Sequence, residues 1–499
     1  MGWKSILLWP FANYISKEID KMAINAIADQ HKIREEIVKK ALATKFGREH
    51  HFSGIKNYSD FKQSVPVRDY EMLRPYFELV KEGQPNILWP KKPVYLAKTS
   101  GTTSGAKYIP ITKESLPNHF NTARNALFHY LIKTKEKSFL DGNMIFLSGS
   151  PELEKVNGIL TGRLSGIVNH EVPNWLKKNQ VPSWETNCIE DWEEKVDQIV
   201  EETKDMDLRL ISGIPPWVQM YYERLLERTC KDNVLEVFPN YSVFVYGGVN
   251  FEPYRQKLES LVGKSIPSVE TYPASEGFIA FQDQFPHSGM LLNTNSGIFF
   301  EFIPADKFFD KDPPRLMLDE VELHTNYVLI LNSNAGLWGY NIGDTISFVS
   351  KSPYRVVVTG RIKHFISAFG EHVIGKEVEE ALNATCEKIP AEIVEFTVSP
   401  QVNPSEGLPF HEWLIEFGAE PKNLESFKSE LNHQMVKQNV YYQDLIEGRI
   451  LQPLKIVRMK PSAFRNYMKS QGKLGGQNKV PRLSNDRGIA DALYEFRSL

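Results

Sequence analysis

From Ile19 to Phe46 the apolar residues Ile19, Met22, Ala23, Ile27, Ile33, Ile37, Ala41 and Leu42 recur mostly at three- and four-residue steps, with charges between them. That period turns one face to a core and the other to water, which predicts one or two surface helices serving as scaffold. The prolines of Val65-Pro66-Val67 and Arg74-Pro75-Tyr76 then limit regular structure and favour short helices joined by turns. Val94-Tyr95-Leu96-Ala97 reads as a strand that enters a polar loop, Thr99 to Lys107, and leaves it through a second strand, Tyr108-Ile109-Pro110-Ile111. Farther along, β-type runs (Met144 to Leu147, Tyr241 to Tyr246, Tyr327 to Leu331, Arg355 to Val358) alternate with helical ones, Asp191 to Thr203 and Trp217 to Leu225. Such alternation predicts an α/β fold in layers with an at least partly parallel sheet. The domain boundary is expected just after Gly360-Arg361, giving a large domain over 1–360 and a smaller α+β domain over 361–499, whose first helix runs from about Lys376 to Leu382.

Composition changes this picture only by exclusion. At 499 residues the chain exceeds one ordinary core, and at roughly 150 residues per domain it suits about three packed units. Lys+Arg 59 against Asp+Glu 62 leaves a net charge of -3, too balanced for nucleic acid to be a partner of the whole molecule. Cys188, Cys230 and Cys386 are odd in number and far apart, so neither a disulfide framework nor a Cys-x-x-Cys site is predicted. The apolar run Ile6 to Trp9 is cut by Pro10 and has no small-residue cleavage site after it, and Ile6 stands where a myristoylation signal needs Ser or Thr. The expectation is a cytoplasmic protein with no membrane partner. No His-Glu-x-x-His or Gly-x-Ser-x-Gly occurs, so zincin and serine-hydrolase chemistry have no signal here.

Four motifs offer chemistry instead. Ser100, Gly101, Thr102, Thr103 and Ser104 with Lys107 combine hydroxyl donors, backbone freed by glycine and one cation, which suits phosphate; a simple hairpin turn has the same composition. Gly247-Gly248 ends a strand before a helix opened by Glu252-Pro253, as at nucleotide-binding sheet edges and at ordinary tight turns alike. Tyr272-Pro273-Ala274-Ser275-Glu276 supplies an aromatic face, a hydroxyl and a carboxylate, able to stack on a base and to hold Mg²⁺ beside phosphates. Gly339-Tyr340-Asn341-Ile342-Gly343-Asp344 sets an acid after a glycine turn, able to accept hydrogen bonds from a ribose diol, as any Gly-Asp turn could.

The order of these motifs, continued by Gly360-Arg361, Gly370-Glu371-His372-Val373-Ile374, Glu377-Val378-Glu379-Glu380 and finally Lys479-Val480-Pro481-Arg482, resembles the adenylate-forming superfamily of acyl-CoA ligases and luciferase. Within it, the long segment before the phosphate loop, Tyr-x-x-Ser-Glu and Lys-x-Pro-Arg are most similar to the auxin-responsive Gretchen Hagen family of acyl acid amido synthetases in its bacterial-type form. The resemblance implies a large adenylate-forming domain with a C-terminal cap hinged near 361–366, and a ligase using ATP and Mg²⁺. It would activate a small carboxylic acid as acyl-AMP and pass the acyl group to an amino acid. It further implies that Ser100, Gly101, Thr102, Thr103, Ser104 and Lys107 cradle phosphates, with Gly247, Gly248 and Ser275 nearby. Tyr272 would face adenine, Glu276 hold Mg²⁺, Asp344 take the ribose hydroxyls, Arg361 lie beside them, and Lys479 bridge the reacting carboxylate and α-phosphate. Pro273-Ala274 replaces the commoner Gly-Ser, and His364 stands where many members carry a hinge aspartate. Thioester formation with CoA, and nucleotide binding without turnover, are the competing expectations. Composition alone would leave Lys479 a surface lysine in a glycine-rich tail.

Overall fold

The computed structural model describes residues 3–99, 106–172, 177–248, 251–285, 289–362, 365–366, 373–402, 404–447, 451–474, 479–484 and 486–498. It opens on a single helix, Trp3–Ala41, longer than the periodic segment and running straight through Pro10. Pro10 cuts the apolar run Ile6 to Trp9, and the periodicity predicts helix only from Ile19 onward. The proline ring costs one backbone hydrogen bond, about 3 kcal/mol, and burial offsets this: Ala12, Ile15, Ile19 and Met22 all turn inward, packing against the helix Leu116–Thr134.

Farther along the same helix, buried Gln30 fastens it to a sheet edge. Its Nε2 donates to Thr294 O and Ile298 O, each at 2.8 Å, and its Oε1 accepts Phe300 N–H at 2.8 Å. Ile298–Pro304 is the terminal strand of its sheet, so the glutamine satisfies backbone groups that an uncovered edge would leave open. Arg74-Pro75-Tyr76 falls inside a helix, Tyr70–Lys81, capped by Asp69.

An 11-stranded sheet forms the centre of the fold. Gln180–Val181, Asn143–Phe146, Leu208–Ser212, Val243–Gly247 and Ser268–Ala274 lie side by side and parallel. Helices Trp192–Thr203, Pro215–Thr229 and Glu252–Val262 alternate with these strands, as right-handed crossovers between parallel strands require. Beyond Ser268–Ala274 the sheet turns antiparallel through Gly277–Phe281, Met290–Leu292 and Tyr354–Arg361. The loop expected to bind phosphate is flanked by an antiparallel hairpin, Tyr95–Thr99 with Lys107–Ile111, in a separate four-stranded sheet. Asp344 lies in no turn: it stands within a 12-residue strand, Tyr340–Lys351, because the β-branched and aromatic residues from Thr345 to Val349 continue the pattern past Gly343.

The chain divides into two compact units. The first comprises Met1–Val249, Glu259–Ile342 and Ile346–Val357; the second gathers Asn250–Leu258, Gly343–Thr345 and Val358–Leu499. In the second, strands Glu392–Gln401, Phe410–Ala419 and Lys455–Arg458 form a sheet covered by helices Gly375–Lys388 and Leu424–Gln438. Phe396, Trp413, Phe427 and Leu431 are fully buried between these layers. Among the described residues no helix is long and apolar enough to cross a membrane.

Candidate active site

The described candidate residues fall into two sets, one in each unit. In the first unit, the edge at the carboxyl ends of the parallel strands carries two of the motifs. Gly247 pairs with Thr271, so the Gly247-Gly248 exit and the Ser275-Glu276 turn leave the sheet on the same side, where α/β folds bind nucleotides. The two glycines differ in what they do. A Cβ on Gly247 would stand 2.4 Å from Thr271 O, so that glycine is required by strand packing. Gly248 has φ +82 and is exposed, a left-handed backbone that favours glycine there.

Glu276 sits in the tight turn between Ser268–Ala274 and Gly277–Phe281. The Tyr340 hydroxyl, buried with its ring, donates to Glu276 Oε1 at 3.2 Å. Burial, reinforced by the Glu276 charge, pushes the Tyr340 pKa well above the usual phenol value, so the tyrosine is a fixed donor to that carboxylate. Tyr340 was not singled out from the sequence, although it lies in the same motif as Asp344. Ser275 is buried. Tyr272, expected against adenine, is only 7% exposed and packs into the core of this unit, so little of its ring is open. The Lys107 ammonium lies 5.5 Å from the Tyr70 ring centroid, and the Tyr70 hydroxyl accepts Tyr108 N–H at 3.0 Å. Ser100, Gly101, Thr102, Thr103 and Ser104 lie outside the described residues, as do His364 and Gly370 to His372.

The second unit brings together three motifs that the sequence keeps far apart. Arg361 Nε donates to Asp344 Oδ1 at 2.8 Å; the Asp344 side chain is 9% exposed and that of Arg361 54%. Lys479 joins this pair within electrostatic range. It keeps an exposed surface, yet the protein crowded around its ammonium, then Arg361, push its pKa down to about 8 against the pull of Asp344, with Arg482 adding a smaller push. Two cations and a carboxylate therefore share one neighbourhood in the second unit.

Residues 15–196 match the model of the GH3 family N-terminal domain, 291–361 that of the GH3 family central domain, and 376–488 that of the GH3 family C-terminal domain. The chain belongs to the GH3 family. This is the family that the segment before the phosphate loop, Tyr-x-x-Ser-Glu and Lys-x-Pro-Arg resemble. It is 22% identical to indole-3-acetic acid-amido synthetase GH3.15 of Arabidopsis thaliana, over 96% of this chain and 95% of that one. It is also 22% identical to jasmonoyl–L-amino acid synthetase JAR4 of Nicotiana attenuata, over 64% of this chain and 66% of that one. Among solved structures, GH3.15 acyl acid amido synthetase superposes with a TM-score of 0.79 at 16% identity, covering 97% and 96% of the two chains. A 2-hydroxyisobutyryl-CoA ligase with bound 2-HIB-AMP superposes at 0.60 and 14% identity, covering 95% and 92%. The GH3 chain thus has the mixed α/β fold, with a large N-terminal and a smaller C-terminal domain, that amido synthetases and adenylate-forming ligases share.

Proposed function

We propose that this GH3 protein is an ATP-dependent acyl acid amido synthetase that activates a small carboxylic acid as its acyl-adenylate and transfers the acyl group to the amine of an amino acid. The observation that carries the reading is the meeting of Asp344, Arg361 and Lys479 in one unit. A carboxylate is a poor electrophile until a good leaving group is attached, and attaching one brings its negative charge against phosphate. Lys479, protonated, would lie between the acid's carboxylate and the α-phosphate and lower the barrier by stabilising charge that develops there. Asp344 would accept hydrogen bonds from the ribose hydroxyls, and Arg361, bonded to one of its oxygens, orients that carboxylate.

The first unit would receive the phosphates. Lys107 and the residues from Ser100 to Ser104 would supply donors, Gly247 and Gly248 the turn beside them, and Ser275 and Tyr272 the wall near the base. Glu276 is half-buried, acceptor-only when ionised and held by Tyr340, which fits Mg²⁺: that ion takes one or two carboxylates and fills its shell with water and substrate phosphates. When bound, it would neutralise phosphate charge. The amide product is supported by relatives that align over most of this chain, one named an indole-3-acetic acid-amido synthetase and another a jasmonoyl–L-amino acid synthetase.

The test is acid-dependent exchange of labelled pyrophosphate into ATP over a panel of carboxylic acids, followed by product analysis with amino acids and with CoA. Exchange with at least one acid, and an amide as main product, are expected. Exchange followed by acyl-CoA alone would move the assignment to a thioester-forming ligase. ATP binding without exchange for any acid would leave a nucleotide-binding protein.

A further inference from the structure

Lys479 lies in no helix or strand, and the chain that follows it is fastened to the second unit. Val398 N–H donates to Arg482 O at 2.9 Å, Ser484 N–H to Val398 O at 2.9 Å, and Thr397 Oγ1 to Pro481 O at 2.7 Å. Leu483, bridged in parallel to Val398, is buried in the core of the second unit. These bonds set how far along the strand Glu392–Gln401 the segment lies.

The Arg482 side chain ties the segment down at further points. Its Nε donates to Glu379 Oε1 at 3.0 Å, its Nη1 to the Glu395 carboxylate and its Nη2 to Tyr254 Oη at 2.8 Å. Tyr254 Oη in turn donates to Glu395 Oε2 at 3.1 Å, and the guanidinium lies 4.8 Å from the Phe396 ring centroid. Two helices and a strand (Glu252–Val262, through its part within the second unit, Gly375–Lys388 and Glu392–Gln401) therefore grip one planar group from different directions.

We infer that Arg482 is a positioning residue for Lys479: locked to Glu379, Glu395 and Tyr254, it fixes the orientation of the terminal segment and so keeps the Lys479 ammonium beside Asp344 and Arg361. The inference rests on the reading of Lys479 as the reactive cation. An arginine three residues beyond such a lysine could equally have faced phosphate, but here its donors are engaged inside the unit. Nor is stability the natural reason for the cluster, since buried ion pairs are commonly replaceable by apolar packing without loss. What an arginine adds is a rigid fork with directional donors, which a lysine at the same place does not reproduce.

Arg482→Lys and Tyr254→Phe in the full chain test this, with three readouts: kcat and KM for ATP in pyrophosphate exchange, the thermal midpoint, and the pH dependence of Lys479 acetylation by limiting acetic anhydride, followed by mass spectrometry. For Arg482→Lys we expect kcat to fall by about tenfold or more with KM for ATP within about twofold, because the lost contact acts in the transition state. We also expect the labelling midpoint of Lys479 to rise from about 8 towards the ordinary lysine value as the ammonium leaves Arg361. Tyr254→Phe should move both in the same direction by less. Unchanged kcat and unchanged labelling in folded variants would overturn the inference and leave Arg482 a structural residue. If the parent protein exchanges no pyrophosphate with any acid, the proposed reaction fails, while the labelling shift still decides the positioning. If Arg482→Lys does not fold, Tyr254→Phe, which removes one hydroxyl and no charge, carries the same two readouts.

Discussion

A lysine whose pKa is held near 8 loses its charge within the working range of most enzymes, and that gives the proposed role of Lys479 a signature in pH. Its folded pKa lies below the ordinary value of 10.5, so the cation is present below about 8 and lost above it. Pyrophosphate exchange should fall as pH rises from about 7 to 9, and Lys479→Arg, whose charge does not titrate there, should flatten that limb; a limb that persists in the arginine variant belongs to another group. Lys479→Ala should spare ATP binding and lower exchange by about 10²–10³, the usual worth of an electrostatic donor used in the transition state. Loss of less than about threefold would make the lysine a bystander. Asp344→Asn should act on the ground state instead. Hydrogen bonds to a charged group are worth about 1.5–3 kcal/mol, so ATP affinity measured by calorimetry should drop by about tenfold or more; unchanged affinity in the folded variant would remove Asp344 from the nucleotide site.

At the scale of elements, the long N-terminal helix depends on a polar residue. Gln30→Leu would keep the volume and leave Thr294 O, Ile298 O and Phe300 N–H without the side chain that now satisfies them. Orphaned buried backbone groups cost about 1–3 kcal/mol each, so with three of them denaturant unfolding should show a loss of about 3 kcal/mol or more, whereas a change under about 0.5 kcal/mol would mean that water replaces the amide. What the sequence made legible follows the same physics. Runs such as Tyr241 to Tyr246 and Tyr327 to Leu331 are buried strands whose apolar, β-type residues mark them, and Asp191 caps the helix that its position announced. Helix continuity through Pro10 was hidden, because packing against a helix more than a hundred residues away outweighs a local rule. The placement of Asp344 in a strand was hidden for a related reason: Gly343 reads as a turn unless the pattern after it is weighed. Among the proposed site residues, motif order singled out Lys479, Asp344 and Arg361, which lie together in the second unit. The Tyr340 contact to Glu276 and the Tyr254 contact to Arg482 depend on tertiary approach and leave no spacing to read.

For the whole molecule, each unit has its own apolar core, the first around Phe46, Trp338 and Leu329 and the second around Phe396, Trp413 and Leu431. Separate cores favour separate cooperative transitions. Scanning calorimetry should therefore give a van't Hoff enthalpy smaller than the measured one, and equality of the two would show a single cooperative block. The second unit is also discontinuous, since it includes Asn250–Leu258 and Gly343–Thr345 along with the end of the chain. An engineer who transplants only the last stretch from a relative, to change what the enzyme accepts, would move Arg482 and Glu395 but leave behind Tyr254 and Asp344. Such a cassette swap would pair a foreign lysine arm with a resident anchor and a resident carboxylate. Shuffled libraries cut at a single crossover should thus yield mostly inert hybrids, and those that also exchange the two short inserts should recover activity.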